Sequence, residues 1–312
     1  MTLGVAIFLD SLDRVRLNFD SSSQLILNIC LAFIMFGVAL HLKPVHFKIL
    51  LQSPRKLITG IVAQFVLLPA FTFFLVWLIE PMPSIALGMI LVAACPGGNV
   101  SNFMSKLAGG NIALSVGLTA FATVMAIFLT PLNFTFYSSL YPPTRALLSE
   151  IAIEPGQMIF TVLLILGIPL VAGMWFNHRF EALTRKIMRP ISVLSLLTFA
   201  AFVVIAFANN YEIFTAFIHR VFGLVLIHNA LAFLIGWMAA SRMKLPLPDR
   251  KAITIETGIQ NSGLALVLIF TFFQGLGGMA MIAAWWGIWH LISGVAIAAF
   301  FHHRFGRVQI QD

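Results

Sequence analysis

From Leu25 onward the chain alternates apolar runs of roughly 18 to 26 residues with short polar turns, and crossing the hydrocarbon core of a bilayer takes about 20 apolar residues per helix. The pattern predicts an all-α polytopic membrane protein with about nine transmembrane helices, at 25–42, 57–79, 84–107, 111–136, 156–176, 191–208, 221–240, 252–274 and 279–301. The turns between them are too short to hold a separate soluble domain. Residues 1–24 carry Asp10, Asp13, Arg14, Arg16 and Asp20. That is too many charges for a span, so the segment is expected to lie at the membrane interface. It also makes a poor signal peptide, having no basic stretch ahead of an apolar run that stops at Asp10.

Two of the nine runs are interrupted. The third contains Cys95-Pro96-Gly97-Gly98-Asn99-Val100-Ser101-Asn102 and the eighth contains Glu256-Thr257-Gly258-Ile259-Gln260-Asn261-Ser262-Gly263. Proline removes a backbone donor and glycine loosens the chain, so each stretch reads as a broken helix. Non-helical backbone survives at membrane depth only where protein buries it or it lines a wet cavity. Matched interruptions in two halves point to a transporter site at the midplane. Spans one to four pair with spans six to nine, leaving span five unmatched. An odd offset of five spans makes the repeats inverted in topology.

Charge then orients the array. Of the 19 Lys and Arg, only Arg14, Arg16, Arg145 and Arg220 fall on one side of the alternation. The others cluster after spans one, three, five, seven and nine, which places the N-terminus outside and residues 302–312 as a cytoplasmic tail. Hydrophobic residues make up 60% of the chain and charged residues 10%, against about 25% charged in a soluble domain. The net charge of +8 is scattered between apolar runs, which argues against a nucleic-acid partner and for a lipid bilayer. Cys30 and Cys95 both lie inside apolar runs and encode neither a disulfide framework nor a zinc site.

Candidate chemistry centres on one side chain. Ten of the eleven acids are placed in loops or tails, and Glu256 alone falls within a span. An ionised carboxylate at membrane depth costs at least about 2.5–3.5 kcal/mol, so it is retained for an ion, a substrate or a proton. No Lys or Arg falls in the interior of a span to pair with it. The expected partner is a mobile cation.

At these residues the chain resembles the bile acid:sodium symporter family, including bacterial homologues of the apical sodium-dependent bile acid transporter. The similarity runs from about Ile34 to Gly294. Its strongest blocks are Ala94-Cys95-Pro96-Gly97-Gly98 with Ser101-Asn102, Asn111-Ile112-Ala113-Leu114-Ser115, Thr254-Ile255-Glu256 with Gln260-Asn261-Ser262-Gly263-Leu264, and Trp289-His290. The resemblance implies two crossed, broken helices in a core domain that moves against a panel domain. Within a transporter domain at 25–301, the core takes about 57–136 and 221–274, and the panel takes about 25–42, 156–208 and 279–301. It also implies two coupling Na⁺ ions. The first would be bound by Ser101, Asn102, Ser115, Thr119 and Glu256. The second would be bound by Gln64, Gln260, Glu256 and the carbonyls of Thr257 and Ile259. Oxygen ligands of these kinds suit a hard cation. Without the resemblance, Ser115 and Thr119 at a spacing of four would read as helix-packing polar residues. Asn99, Asn261 and His290 match substrate-facing positions, and Asn99 stands where bacterial relatives carry a small hydroxyl residue. His228-Asn229 also resembles the family, with no role attached.

The resulting expectation is secondary active transport, not enzymatic catalysis: sodium-coupled symport of a small organic anion, bile-acid-like or pantoate-like, in the bacterial inner membrane. The alternative is a cation/proton antiporter or a proton-coupled organic-anion transporter of related fold. Antiporters of this architecture place aspartates at the crossing, and no Asp falls in any span here. A membrane hydrolase would need a convergent nucleophile and base, or metal ligands. Neither an H-E-x-x-H nor a G-x-S-x-G pattern occurs.

Overall fold

The computed structural model describes residues 12–17, 21–42, 44–98, 100–151 and 154–305, and among them the regular structure is helical. In chain order the helices are α1 (Ser21–Ala39), α2 (Pro44–Leu51), α3 (Pro54–Ile79), α4 (Pro83–Ala94), α5 (Val100–Leu107), α6 (Ile112–Leu140) and α7 (Pro142–Ile151). There follow α8 (Gly156–Arg179), α9 (Glu181–Asn209), α10 (Tyr211–Arg242), α11 (Leu247–Gly258), α12 (Ser262–Phe272) and α13 (Gly277–Phe305). Each of the nine apolar runs is helical in the main, the third and eighth as two helices each with a non-helical gap between them. Five helices (α3, α6, α8, α10 and α13) are long and apolar enough to cross a membrane unbroken, and Leu25–Ala39, α4 and α12 are shorter apolar helices.

Proline sets several starts: Pro54, Pro83 and Pro248 stand in the first turns of α3, α4 and α11, where a missing N–H costs nothing. α3 ends at Glu80, which turns the chain with a left-handed φ of 49°. Inside α3 the residues Ala63–Leu67 widen into a π turn, and Leu163–Gly167 do the same in α8. Such turns relax a helix where the regular hydrogen-bond ladder fails. In α3 the cause is Pro69: it has no N–H to offer the Phe65 carbonyl, which instead accepts from Asn133 Nδ2 at 2.9 Å.

The packing runs in two groups. α1, α8 and α9 lie against one another, while α13 packs along α4 and α10 along α11, enclosing the two short helix pairs. The deepest core comes from α4 and α12, whose residues are buried almost throughout. The outer surface is apolar instead: Val66, Phe74, Trp77, Phe128, Leu132 and Trp175 are exposed on the long helices. An apolar exterior over a packed interior fits an integral membrane protein.

The charged N-terminal segment is described at 12–17, where it lies across one end of the molecule. Leu17 N donates to Gly275 O at 2.9 Å and Gly277 N donates to Val15 O at 2.8 Å. Ser84 N donates to Asp13 Oδ1 at 2.7 Å, a carboxylate where the α4 dipole favours one. Most of the expected cytoplasmic tail lies outside the described residues.

Asp249 and Lys251, expected in a loop, stand in the first turns of α11, and both are buried. α11 begins several residues before its apolar run because Pro248 and Asp249 suit a helix start. Asp249 Oδ2 pairs with Lys56 Nζ at 2.8 Å, and its Oδ1 accepts from Asn111 Nδ2 at 2.7 Å. Lys251 Nζ donates to Ala108 O at 2.8 Å.

Candidate functional site

α4–α5 and α11–α12 break side by side, and the two gaps complete each other. Gly97 and Gln260 form an isolated antiparallel bridge, in which Gly98 N donates to Ile259 O at 2.7 Å and Asn261 N donates to Pro96 O at 2.9 Å. The helix ends leave further carbonyls without intrahelical partners, and side chains take them up. Thr130 Oγ1 donates to Ala94 O at 2.7 Å, Gln64 Nε2 to Cys95 O at 2.9 Å, Gln260 Nε2 to Thr257 O at 2.6 Å and Asn229 Nδ2 to Gly258 O at 2.7 Å. With no water in a hydrocarbon slab, this accounting is the condition for irregular backbone to persist there.

Glu256 sits in the last turn of α11 and is 3% exposed. Its Oε2 accepts from Ser101 Oγ at 2.5 Å and from Ser115 Oγ at 3.4 Å, and its Oε1 accepts from Thr119 Oγ1 at 2.8 Å. Asn102 Oδ1 accepts from the same pair, Ser115 at 2.8 Å and Thr119 at 3.3 Å. Ser115 and Thr119 are one turn apart on α6 and face the crossing together. All five residues carried over to the first ion site therefore meet in one cluster. Among the described residues no Lys or Arg forms an ion pair with Glu256. Gly97 is required for this fit, because a Cβ there would overlap the Glu256 carboxylate.

Beside this cluster lies a second. Gln64, in the π turn of α3, and Gln260, at the second break, exchange amide hydrogen bonds: Gln64 Nε2 to Gln260 Oε1 at 2.8 Å and Gln260 Nε2 to Gln64 Oε1 at 3.3 Å. Both are buried. Thr257 O joins them through Gln260, whereas Ile259 O is engaged by Gly98. The Thr257 hydroxyl turns back to Ile253 O at 2.8 Å and leaves only the carbonyl for the crossing.

The three substrate-facing positions are less closely joined. Asn99 lies outside the described residues. Asn261 is the N-cap of α12, its Oδ1 accepting from Leu264 N at 3.0 Å, and its Nδ2 reaches Met35 Sδ of α1 at 3.8 Å. His290 is buried on α13, and its Nδ1 has no hydrogen-bond partner. No hydrogen bond among the described residues links it to Asn261 or Glu256. Asn229 and Thr130 emerge here as supports of the breaks, and Asn133 as a support of the π turn that carries Gln64. A polar amide or hydroxyl in an otherwise apolar run was the signal each carried.

A model of the Sodium Bile acid symporter family matches residues 28–217, more than half of the 312. The chain belongs to that family. It is thereby one of the sodium-coupled transporters and not an enzyme. Over 283 residues it is 32% identical to the uncharacterized sodium-dependent transporter YocS of Bacillus subtilis, covering 91% of this chain and 85% of that one. It is 30% identical over 241 residues to the probable sodium/metabolite cotransporter BASS1 of Arabidopsis thaliana, covering 76% of this chain and 57% of the plant protein. The human ileal sodium/bile acid cotransporter is 23% identical over 244 residues, 78% of this chain and 68% of its own.

Proposed function

We propose that this symporter-family member carries a small organic anion, a bile-acid-like or pantoate-like carboxylate, inward with two Na⁺ ions by alternating access. The observation that carries the reading is Glu256: a carboxylate without a cationic side-chain partner among the described residues, enclosed by oxygens from α5 and α6 where the two broken helices meet. A desolvated anion so placed calls for a cation, and carboxylate, hydroxyl and amide oxygens favour a hard one. Ser101, Asn102, Ser115, Thr119 and Glu256 take the first ion. Gln64, Gln260, Glu256 and the Thr257 and Ile259 carbonyls take the second, exchanging the present N–H···O bonds for Na⁺–O contacts. Asn99, Asn261 and His290 face the substrate. The bacterial, plant and human relatives, all named as sodium-dependent carriers, support the choice of ion.

In this reading the chain spans the bacterial inner membrane nine times, N-terminus outside and C-terminus in the cytoplasm. Its repeats are inverted, α1, α3, α4–α5 and α6 against α9, α10, α11–α12 and α13. α1, α8 and α9 form the panel. We place α13 with the core, since it packs along α4. Uptake of labelled organic acids into proteoliposomes under an inward Na⁺ gradient, compared with K⁺ and H⁺ gradients, tests the function. Na⁺-driven uptake is expected; transport that ignores Na⁺ and follows pH overturns the reading in favour of proton coupling. Asn99→Ala and His290→Ala are expected to weaken substrate binding while leaving the substrate-free Na⁺ response in place, and equal loss of both would move these residues into the ion site or the scaffold.

A further inference from the structure

The end of α11 is gripped from a direction that no ion ligand occupies. Asn229, on α10, is fully buried and uses both halves of its amide: Nδ2 donates to Gly258 O at 2.7 Å, and Oδ1 accepts from Ser293 Oγ of α13 at 2.6 Å. The rest of that face of α10 is fitted to the same half-helix. Phe233, one turn on, fills the space beside Gly258, where a Cβ would overlap its ring. Gly236, a further turn on, lies against the backbone of Ile253 and Thr254, with its would-be Cβ 2.8 Å from Thr254 Cα.

The consequence follows from peptide geometry. Gly258 O lies between the Thr257 and Ile259 carbonyls, and consecutive peptide planes share a Cα, so fixing the middle carbonyl restricts how its two neighbours point. Thr257 O is held by Gln260, and Ile259 O by Gly98. Both of those partners belong to the crossing itself. Asn229 anchors the third from outside it. An amide suits this place because its NH₂ donates to a carbonyl while its oxygen, a separate atom, accepts from a hydroxyl. The Gly258 carbonyl, which can only accept, sets which way the amide faces, and the Ser293 hydroxyl holds its oxygen end in place.

We infer that Asn229, held by Ser293, is a positioning residue for the sodium site formed by Gln64, Gln260 and the Thr257 and Ile259 carbonyls. The inference rests on the sodium reading above. It gives Asn229 control over ion affinity although its side chain contributes no oxygen to the ion, and it gives Ser293, on the helix that carries His290, a share in that control.

The test is a Na⁺ titration of the full chain in detergent, read as the rise in thermal unfolding midpoint at constant ionic strength with K⁺ as the counter-cation. If the parent protein is not stabilised by Na⁺ over K⁺, the sodium reading fails, and the parent alone reveals it. Given a parent that responds, Asn229→Ala is expected to raise the half-saturating Na⁺ concentration by about fivefold or more, the scale of a lost buried hydrogen bond. A lowered sodium-free midpoint with parental Na⁺ half-saturation would mean that Asn229 serves stability only, and would overturn the inference. Ser293→Ala should shift half-saturation the same way, by about twofold or more, and Ser293→Thr, which keeps the hydroxyl, should restore it. If Asn229→Ala does not accumulate as folded protein, the Ser293 pair decides: parental half-saturation in Ser293→Ala overturns the inference.

Discussion

The gap between α4 and α5 is built from uncharged residues, Cys95 to Gly98 among those described, while the gap between α11 and α12 opens at Ile259, just past the turn that carries Glu256, and includes Gln260. Their neighbours differ in the same sense. α4 is apolar and buried along nearly its whole length, whereas α11 carries Asp249, Lys251, Thr254, Glu256 and Thr257 in twelve residues. The first gap supplies shape: Gly97 makes room for the carboxylate, and Pro96 O and Gly98 N give the opposite strand its partners. The second brings Glu256, Gln260 and the Thr257 and Ile259 carbonyls, which both proposed ion sites draw on. A backbone change in the first and a charge change in the second should therefore both stop transport, yet leave different traces in the protein without sodium.

The largest effect is expected from Glu256→Gln, which keeps the volume and removes the charge. Stripping one partner from a buried ionic arrangement costs about 3–5 kcal/mol, so Na⁺-driven uptake in proteoliposomes should fall at least about a hundredfold while the sodium-free protein stays folded. Undiminished uptake would assign the coupling charge elsewhere. Gly97→Ala comes next. Its methyl group meets the carboxylate, and overpacking of this kind costs about 1–3 kcal/mol. Here both the sodium-free unfolding midpoint and the Na⁺ response should drop, which separates the shaping gap from the ligand gap. Parental behaviour in both measurements would show that the first gap tolerates bulk.

A smaller change should follow Gln64→Ala or Gln260→Ala. Each removes one side of the reciprocal amide pair, so apparent Na⁺ affinity should weaken by about tenfold, the scale of a buried polar group left unpaired. The Na⁺ dependence of uptake should also become less steep as one of the two proposed sites is lost. An unchanged slope would detach the amide pair from ion binding. The smallest effect on Na⁺ binding belongs to Lys56→Met, opposite the far end of α11. The Lys56 side chain is 33% exposed but that of its partner Asp249 only 3%, so removing the cation leaves a buried carboxylate without its ion pair, and the cost falls on stability. A clear loss of thermal stability with normal Na⁺ affinity is expected, and a large loss of affinity would mean that the start of α11 is part of the ion site.

Much of this contrast was legible in the residues themselves. Glu256 stood out because a carboxylate in an apolar run has no cheap explanation, and both gaps stood out as polar, glycine-containing stretches of the same kind. Hydropathy was a poorer guide to helix ends. It registered the apolar run beginning near Ala252 and missed the polar first turn of α11, so Asp249 and Lys251 read as loop residues although both are buried. The π turn that delivers Gln64 was invisible to an apolar count, because its cause is the N–H that Pro69 lacks opposite Phe65 O, a matter of one donor. Asn229 was visible as an amide in an apolar run, but its task is to hold a carbonyl on another helix, and spacing along the chain says nothing about which carbonyl that is.

The bridge between Gly97 and Gln260 also sets an order on biogenesis. About 160 residues separate its two strands, and at 5–20 residues per second a ribosome needs on the order of ten seconds to supply the second after the first. Through that interval α4 and α5 wait in the translocon or the lipid with Pro96 O and Gly98 N lacking the partners that α11–α12 will bring, a costly condition in hydrocarbon. The first half of the chain is therefore a nascent intermediate that closes late, when α11–α12 arrives. The quality-control machinery of the membrane has its longest opportunity to act on it just before then.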